Sequence, residues 1–186
     1  SGAFSVAIGQ YSKATSPYTV ALGLYTIASG TNSISIGENN TAAGFGTIAI
    51  GQNNSADGKS SIAIGQFTRA LGNNSIAFGR GTGAKDLLRV NDSNAFGVGF
   101  NATVPTFYVL GSATANSTGT VGIGTTAPAE ALDIVGAMHI TPQASPPTVA
   151  DSGDLYMDST PAPDELCVYD GTSWQALITG VDANCA

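Results

Sequence analysis

Thr47-Ile48-Ala49-Ile50-Gly51 and, fourteen residues on, Ser61-Ile62-Ala63-Ile64-Gly65 decide the fold. The same phrase stands at Ser5-Val6-Ala7-Ile8-Gly9, Thr19-Val20-Ala21-Leu22-Gly23, Ser33-Ile34-Ser35-Ile36-Gly37 and Ser75-Ile76-Ala77-Phe78-Gly79, six copies with no insertion between them. Five residues after each glycine comes alanine, at Ala14, Ala28, Ala42, Ala56, Ala70 and Ala84. Two before each alanine stands a small polar residue: Ser12, Thr26, Asn40, Asn54, Thr68 and Thr82. Self-similarity at a fixed period marks a repeat architecture, in which each unit buries its apolar face only by stacking on its neighbours.

Each copy reads as two very short strands joined by turns. Side chains alternate along a strand, so the Val, Ile or Leu positions share one face and the intervening Ala or Ser the other. Both faces are nearly apolar, which predicts burial on both sides. The expectation is that the large face fills the inside of a coil and the small face fits a close approach by another chain. Glycine at the strand end, and again at Gly30, Gly44, Gly58 and Gly72, is expected to supply the positive φ that reversals require. Six coils stacked at strand spacing rise ~29 Å. With only two or three large apolar side chains per coil the core is thin, and self-association is expected to make up the shortage.

Ser5-Val6-Ala7-Ile8-Gly9 followed by Ser12-x-Ala14 resembles the head repeat of trimeric autotransporter adhesins, over about residues 4–85. The resemblance implies a left-handed parallel β-roll assembled as an intertwined homotrimer, displayed outside the cell, whose relatives bind matrix proteins, cells or each other. The chain shows no heptad stalk and no pattern of a membrane-anchoring β-barrel.

The period breaks after Ala84 at Lys85-Asp86-Leu87-Leu88-Arg89-Val90, which reads as a cap or neck closing the last coil. Asn94-Ala95-Phe96-Gly97-Val98-Gly99 reads as a degenerate last repeat and Thr106–Leu110 as a strand. Thr120-Val121-Gly122-Ile123-Gly124-Thr125-Thr126-Ala127-Pro128, running to Leu132-Asp133-Ile134-Val135-Gly136, resembles the shaft modules of phage tail fibres and of mosaic adhesive trimers. Pro142-Gln143-Ala144-Ser145-Pro146-Pro147 is a polyproline-type linker. Beyond it Gly153–Asp158, Glu165–Tyr169 and Ser173–Ile178 read as a meander, with Asp170-Gly171 as a turn signal. The expected organisation is a β-roll over 1–85, a cap and neck over 86–118, a shaft-like β module over 119–141, a linker over 142–150 and a small antiparallel meander over 151–186. The fold class is all-β.

Only 10% of the 186 residues are charged, where roughly 25% is typical of globular domains, and glycine supplies 24 positions. So little charge cannot cover the surface of a lone compact domain, which again points to partner chains. Residues 1–110 hold six basic and four acidic groups, and residues 111–186 hold nine acidic groups and no Lys or Arg. The acidic half repels polyanions and the basic residues are scattered, so no nucleic-acid partner is expected. No stretch approaches the ~20 apolar residues of a membrane span, and no membrane insertion is expected. The start Ser1-Gly2-Ala3-Phe4 lacks the regions of a signal peptide, as in a mature product or a piece of something longer.

No catalytic machinery and no cofactor are legible. His139 is the only histidine and alternates with Met138 and Ile140 as on a strand, a structural position. Gly119-Thr120-Val121-Gly122-Ile123-Gly124 lacks the third glycine and the following helix of a dinucleotide loop. The repeats hold acidic residues only at Glu38 and Asp57, out of phase, whereas a glycan-cleaving groove needs paired carboxylates. Asp151, Asp154 and Asp158, with Asp164 and Glu165, do not follow an EF-hand spacing and read as solvated carboxylates, so no metal site is expected. Tyr156, Tyr169 and Trp174 are the candidate ligand-binding residues, as an aromatic platform for a sugar; the bland alternative makes them the core of the small sheet. Cys167 and Cys185 fit no zinc or redox pattern; a disulfide within or between chains is allowed, and so are two unpaired thiols. The Asn-x-Ser/Thr patterns at Asn39, Asn53, Asn73, Asn101 and Asn116 follow from an Asn-rich turn repeat.

Two functions fit. One is an adhesive segment of a homotrimeric fibre, on a cell surface or a virion, that attaches to a surface receptor, a glycan among the candidates. The other is a purely structural spacer or filament subunit with binding located elsewhere.

Overall fold

The computed structural model describes residues 2–112, 114, 118–148, 150–159 and 165–177. Among them every regular element is a strand. In chain order these are β1 (Val6–Ile8), β2 (Lys13–Ala14), β3 (Val20–Leu24), β4 (Ile27–Ala28), β5 (Ile34–Glu38) and β6 (Thr41–Ala42). They continue with β7 (Ile48–Gln52), β8 (Ser55–Ala56), β9 (Ile62–Gln66), β10 (Thr68–Ala70), β11 (Ile76–Arg80), β12 (Leu88–Val90) and β13 (Ala95–Phe100). The last are β14 (Phe107–Leu110), β15 (Thr120–Ile123), β16 (Leu132–Ile134), β17 (Leu155–Asp158), β18 (Glu165–Tyr169) and β19 (Trp174–Ala176). Contacts divide the chain into two compact units, Ser1–Gly136 and Ala137–Ala186.

In the first unit the long strands of successive coils pair in parallel, Ile34 opposite Ile48 and Ile48 opposite Ile62, while the short strands do the same on the other side of the coil. Repeat position therefore lies on repeat position. The result is a parallel β-solenoid with one coil per fourteen residues.

Inside and outside are the reverse of the sequence expectation. Ala21, Ala49, Ala63 and Ala77 on the long strands, Ala28, Ala42, Ala56 and Ala70 on the short ones, and Ser35, are all fully buried. The large side chains point out of the coil: Ile34, Ile48, Ile50, Ile62 and Ile64 are half-buried, and Val6, Ile8, Ile76 and Phe78 are exposed. Two sheets joined by such short turns lie too close for facing branched side chains, and an interior packed to ordinary density admits only Ala, Ser, Thr and Asn. Apart from the Ser33 hydroxyl, which has no partner among the described residues, the polar members are satisfied. Thr47 Oγ1 donates to Gly44 O at 2.9 Å, and Asn40 Nδ2 to Ile36 O and Gly51 O, both at 2.7 Å. Asn40 Oδ1 accepts from the Asn54 amide, and Asn54 Oδ1 from the Thr68 amide and hydroxyl, so the buried asparagines tie coil to coil.

The two glycine tracks also separate. Gly51, at φ +119, ends its strand in a conformation that excludes side chains, and a Cβ there would lie 1.9 Å from Gly65 O. Gly58, by contrast, has no positive φ, contrary to expectation; it is glycine because a Cβ would lie 2.1 Å from Gly72 O. The left-handed corners belong instead to Tyr11, Tyr25, Asn39, Asn53 and Phe67 on one side of the coil and to Phe4, Tyr18, Asn32, Gly46, Ser60 and Asn74 on the other.

The stretch expected as cap and neck divides. β12 joins the short-strand sheet beside β10, and β13 pairs in parallel with β11, so residues 88–100 form a seventh coil. Its register, Ile76 opposite Phe96 and Thr68 opposite Leu88, is offset by twenty residues, six more than before. Leu88 and Val90 are buried inside it, and space for them comes from Gly97 and Gly99 across the coil. A Cβ on Gly97 would meet Val90 Cγ2 at 2.5 Å. β14 then turns back antiparallel on β13 and closes the solenoid with buried Tyr108, whose hydroxyl donates to Asp92 Oδ2 at 2.6 Å. β15 is antiparallel to β14 and β16 parallel to β15, so the shaft-like segment extends the same sheet.

In the second unit β17, β18 and β19 form an antiparallel meander. Asp170 Oδ1 accepts the amides of Thr172 and Ser173, both at 2.8 Å, and shapes the last turn. Gln143, within the proline-rich stretch, bonds the edge of β17 through Met157 O at 2.8 Å.

Candidate binding surfaces

Three surfaces offer chemistry. The first is the outward apolar face of the long strands, where large apolar residues stack coil on coil: Ile34, Ile48, Ile62 and Ile76 in one column, Ile36, Ile50, Ile64 and Phe78 in the next. No charged side chain interrupts these columns.

The second is the pair of corners. Left-handed backbone costs an aromatic residue about 1–2 kcal/mol that Gly, Asn or Asp largely escape. Even so, Phe4, Tyr11, Tyr18 and Tyr25 occupy such corners in the first two coils while more than half exposed. Tyr11 stacks on Tyr25 with ring centres 4.7 Å apart, and Phe4 on Tyr18 at 5.5 Å. Further along the first corner Asn39 Nδ2 donates to Asn53 Oδ1 at 2.6 Å, and Phe67 follows at φ +56. Beside this track Gln52 Nε2 donates to Glu38 Oε2 at 2.8 Å, and Gln66 bonds Gln52. The sequence reading did not single out these corners, although the position two after each repeat glycine was there to be read.

The third is the meander. Tyr156, Tyr169 and Trp174 do come together: Trp174 lies 4.6 Å from Tyr156 and 5.2 Å from Tyr169, ring centre to ring centre. Tyr156 is only 3% exposed, and its hydroxyl donates to buried Asp158 at 2.8 Å. Burial above all, then the hydrogen bond and the charge of Asp158, pushes the phenol up to about 12. Tyr156 is thus a core residue of the sheet, and Tyr169 and Trp174 are half-buried around it. Cys167 is fully buried and disulfide-bonded; Cys185 lies outside the described residues.

Of the acidic residues singled out in the sequence, Asp158 and Glu165 stand opposite each other in the β17–β18 register. Asp158 faces Tyr156, Asp154 Oδ2 accepts the Asp151 amide, and Asp164 lies outside the described residues. Among the described residues no group of three or more His, Cys, Asp or Glu could hold a metal ion. His139 is exposed and lies beyond the end of β16 at Ile134, not on the strand the alternation suggested. No helix among the described residues is long and apolar enough to cross a membrane.

Stacked fourteen-residue coils, alanine-filled inside and isoleucine-lined outside, define a repeat β-solenoid. A protein-family model, YadA head domain repeat (2 copies), matches residues 1–26, 28–54 and 56–82, each match spanning about two coils. Within residues 1–82 the chain is thus similar to the YadA head domain repeat, the repeat of trimeric autotransporter adhesins. That family is one of adhesins exposed outside the cell rather than of enzymes. The match does not extend to the segment resembling tail-fibre shafts. No curated protein and no solved structure matches the chain.

Proposed function

We propose that this chain is a head segment of a homotrimeric extracellular adhesin and that three copies pack through the outward isoleucine columns. The observation that carries the reading is the inversion of the coil. Alanine occupies the interior, so the sequence has placed its largest apolar residues where a single chain leaves them half in water. About 25 cal/mol is gained per Å² of apolar surface removed from water, and a continuous strip of such side chains is the surface a partner copy would cover. The low charge of the first 85 residues supports the same arrangement. The free surface then consists of the corners and the short-strand sheet, and attachment to a surface receptor is assigned to them.

The test is attachment by beads coated with the chain. Such beads should be retained on host-cell or extracellular-matrix surfaces, and beads bearing Ile48→Asp/Ile62→Asp, which breaks two rungs of the columns, should be released. Coated beads that attach to no surface while the chain remains trimeric would overturn the adhesive reading in favour of a structural spacer.

A further inference from the structure

The geometry points to a binding cleft for a neutral glycan at the Tyr-Asn-Phe corner of the solenoid, one pyranose ring seated on Phe67 against the amides of Asn39 and Asn53. This rests on the adhesive reading and names a ligand class and a place for it.

Only one coil breaks the fourteen-residue spacing, and its six additional residues leave the solenoid at this corner. Gly81 N donates to Gln66 O at 3.0 Å and Leu88 N to Phe67 O at 2.9 Å, so the inserted turn stands on the two residues of the Phe67 corner. The turn is held by its own bonds, Thr82 N to Asp86 O and Asp86 N to Gly83 O, each at 3.0 Å. It borders an open cleft of about 270 Å³ lined by Asn39, Asn53, Thr41, Phe67, Ala84 and Leu87, among others. That is just below the range of about 300–1,000 Å³ for drug-sized ligand pockets, a size for a single ring rather than a larger ligand.

The lining chemistry selects the ligand. Phe67 offers an aromatic face, to which the C–H side of a pyranose stacks. After Asn39 Nδ2 has donated to Asn53 Oδ1, Asn39 Oδ1 remains as an acceptor and Asn53 Nδ2 as a donor with no partner among the described residues. The Thr41 hydroxyl adds a group of either kind, and an acceptor beside a donor is the complement of two adjacent sugar hydroxyls. No charged side chain lines the cavity, so nothing there compensates an anionic sugar. Along the same corner Tyr25, Asn39, Asn53 and Phe67 stand one coil apart, each amide bonding the coil before it, so a linear chain along the axis meets ring, amide, amide, ring. Phe67 also bears a left-handed backbone that its neighbours on the track meet with asparagine, and local strain of this sort concentrates at functional sites.

The test uses the full chain with cellotetraose, mannotetraose, galactotetraose and chitotetraose as neutral probes and sialyllactose as the anionic one. Saturation-transfer NMR and calorimetry are read at two salt concentrations. At least one neutral tetrasaccharide should bind, with affinity insensitive to salt. Phe67→Asn, which installs the residue found on adjacent coils, should keep or raise the melting temperature and lower that affinity at least tenfold. Asn53→Ala should lower it several-fold, and Tyr18→Asn, on the opposite corner, should leave it unchanged. Binding of sialyllactose alone, no binding of any neutral probe, or full affinity in Phe67→Asn would overturn the cleft. A chain that attaches to cells yet binds none of the neutral probes would sink this inference and leave the adhesive reading standing.

Discussion

Replacing Gly51 with alanine should be among the most damaging single-methyl additions to this molecule. Gly51 sits at φ +119, where a side chain costs about 1–3 kcal/mol in backbone strain alone. The new Cβ would lie 1.9 Å from Gly65 O and 2.9 Å from Asn54 Nδ2. A carbon and a carbonyl oxygen settle at about 3.3 Å, so the two coils must part by about 1.4 Å at that rung. Parting them weakens the ladder bonds on either side and the buried Asn40 Nδ2 bond to Gly51 O, each worth about 1 kcal/mol net. The expected total is about 3–5 kcal/mol, a large share of the 5–15 kcal/mol typical of a folded domain. Gly46→Ala is the internal comparison. Gly46 is at φ +65, and a Cβ there meets nothing nearer than Ser60 Oγ at 3.7 Å, so only the left-handed cost of about 1–2 kcal/mol applies. Urea denaturation followed by far-UV circular dichroism, at one protein concentration so that any assembly equilibrium is held fixed, measures both. Equal losses for the two variants would refute the reasoning, because they would show that the approach of neighbouring coils contributes nothing.

Ala49→Leu adds three carbons to an interior filled with alanine and should cost about 3 kcal/mol or more by overpacking, read in the same denaturation experiment. Tyr156 holds its proton more tightly folded than unfolded, so its contribution is complete below about pH 10 and lost as pH rises toward 12. Emission from Trp174, the only tryptophan, should shift to the red in that window, and Tyr156→Phe should flatten the shift. If Cys167 pairs with Cys185 of the same chain, denatured protein under non-reducing conditions runs as a single chain with no free thiol, whereas pairing between chains gives a reducible dimer.

Stacking was legible because fourteen-residue spacing puts like on like, as Ile34, Ile48 and Ile62 show. Which face lies inside was not, because alternation separates two faces without saying how wide the coil is. The width follows from the turns, and it admits Ala49 and excludes Ile48. The second alanine track, Ala28 to Ala70, carried the missing signal: small residues on both strands of a coil are what two closely approaching sheets require. The seventh coil was hidden because it exchanges sizes across the interior, Leu88 and Val90 facing Gly97 and Gly99, and no longer reads as the repeat. The corner cleft was hidden for another reason. Tyr11, Tyr25, Asn39, Asn53 and Phe67 share a backbone conformation but no side-chain chemistry, so the column they form is visible only once the coils are stacked. In the meander the grouping of Tyr156, Tyr169 and Trp174 followed from the strand pattern, while the burial of Tyr156 beneath Trp174 required the register of β17 on β18.

The most direct test of the outward apolar face is the mass of the chain in solution, by light scattering coupled to size-exclusion chromatography. The account predicts three times 18.6 kDa, about 56 kDa, reduced to a single chain by Ile48→Asp/Ile62→Asp. A stable, folded species of 18.6 kDa for the unaltered chain would contradict it, since the isoleucine columns would then be standing in water without a partner.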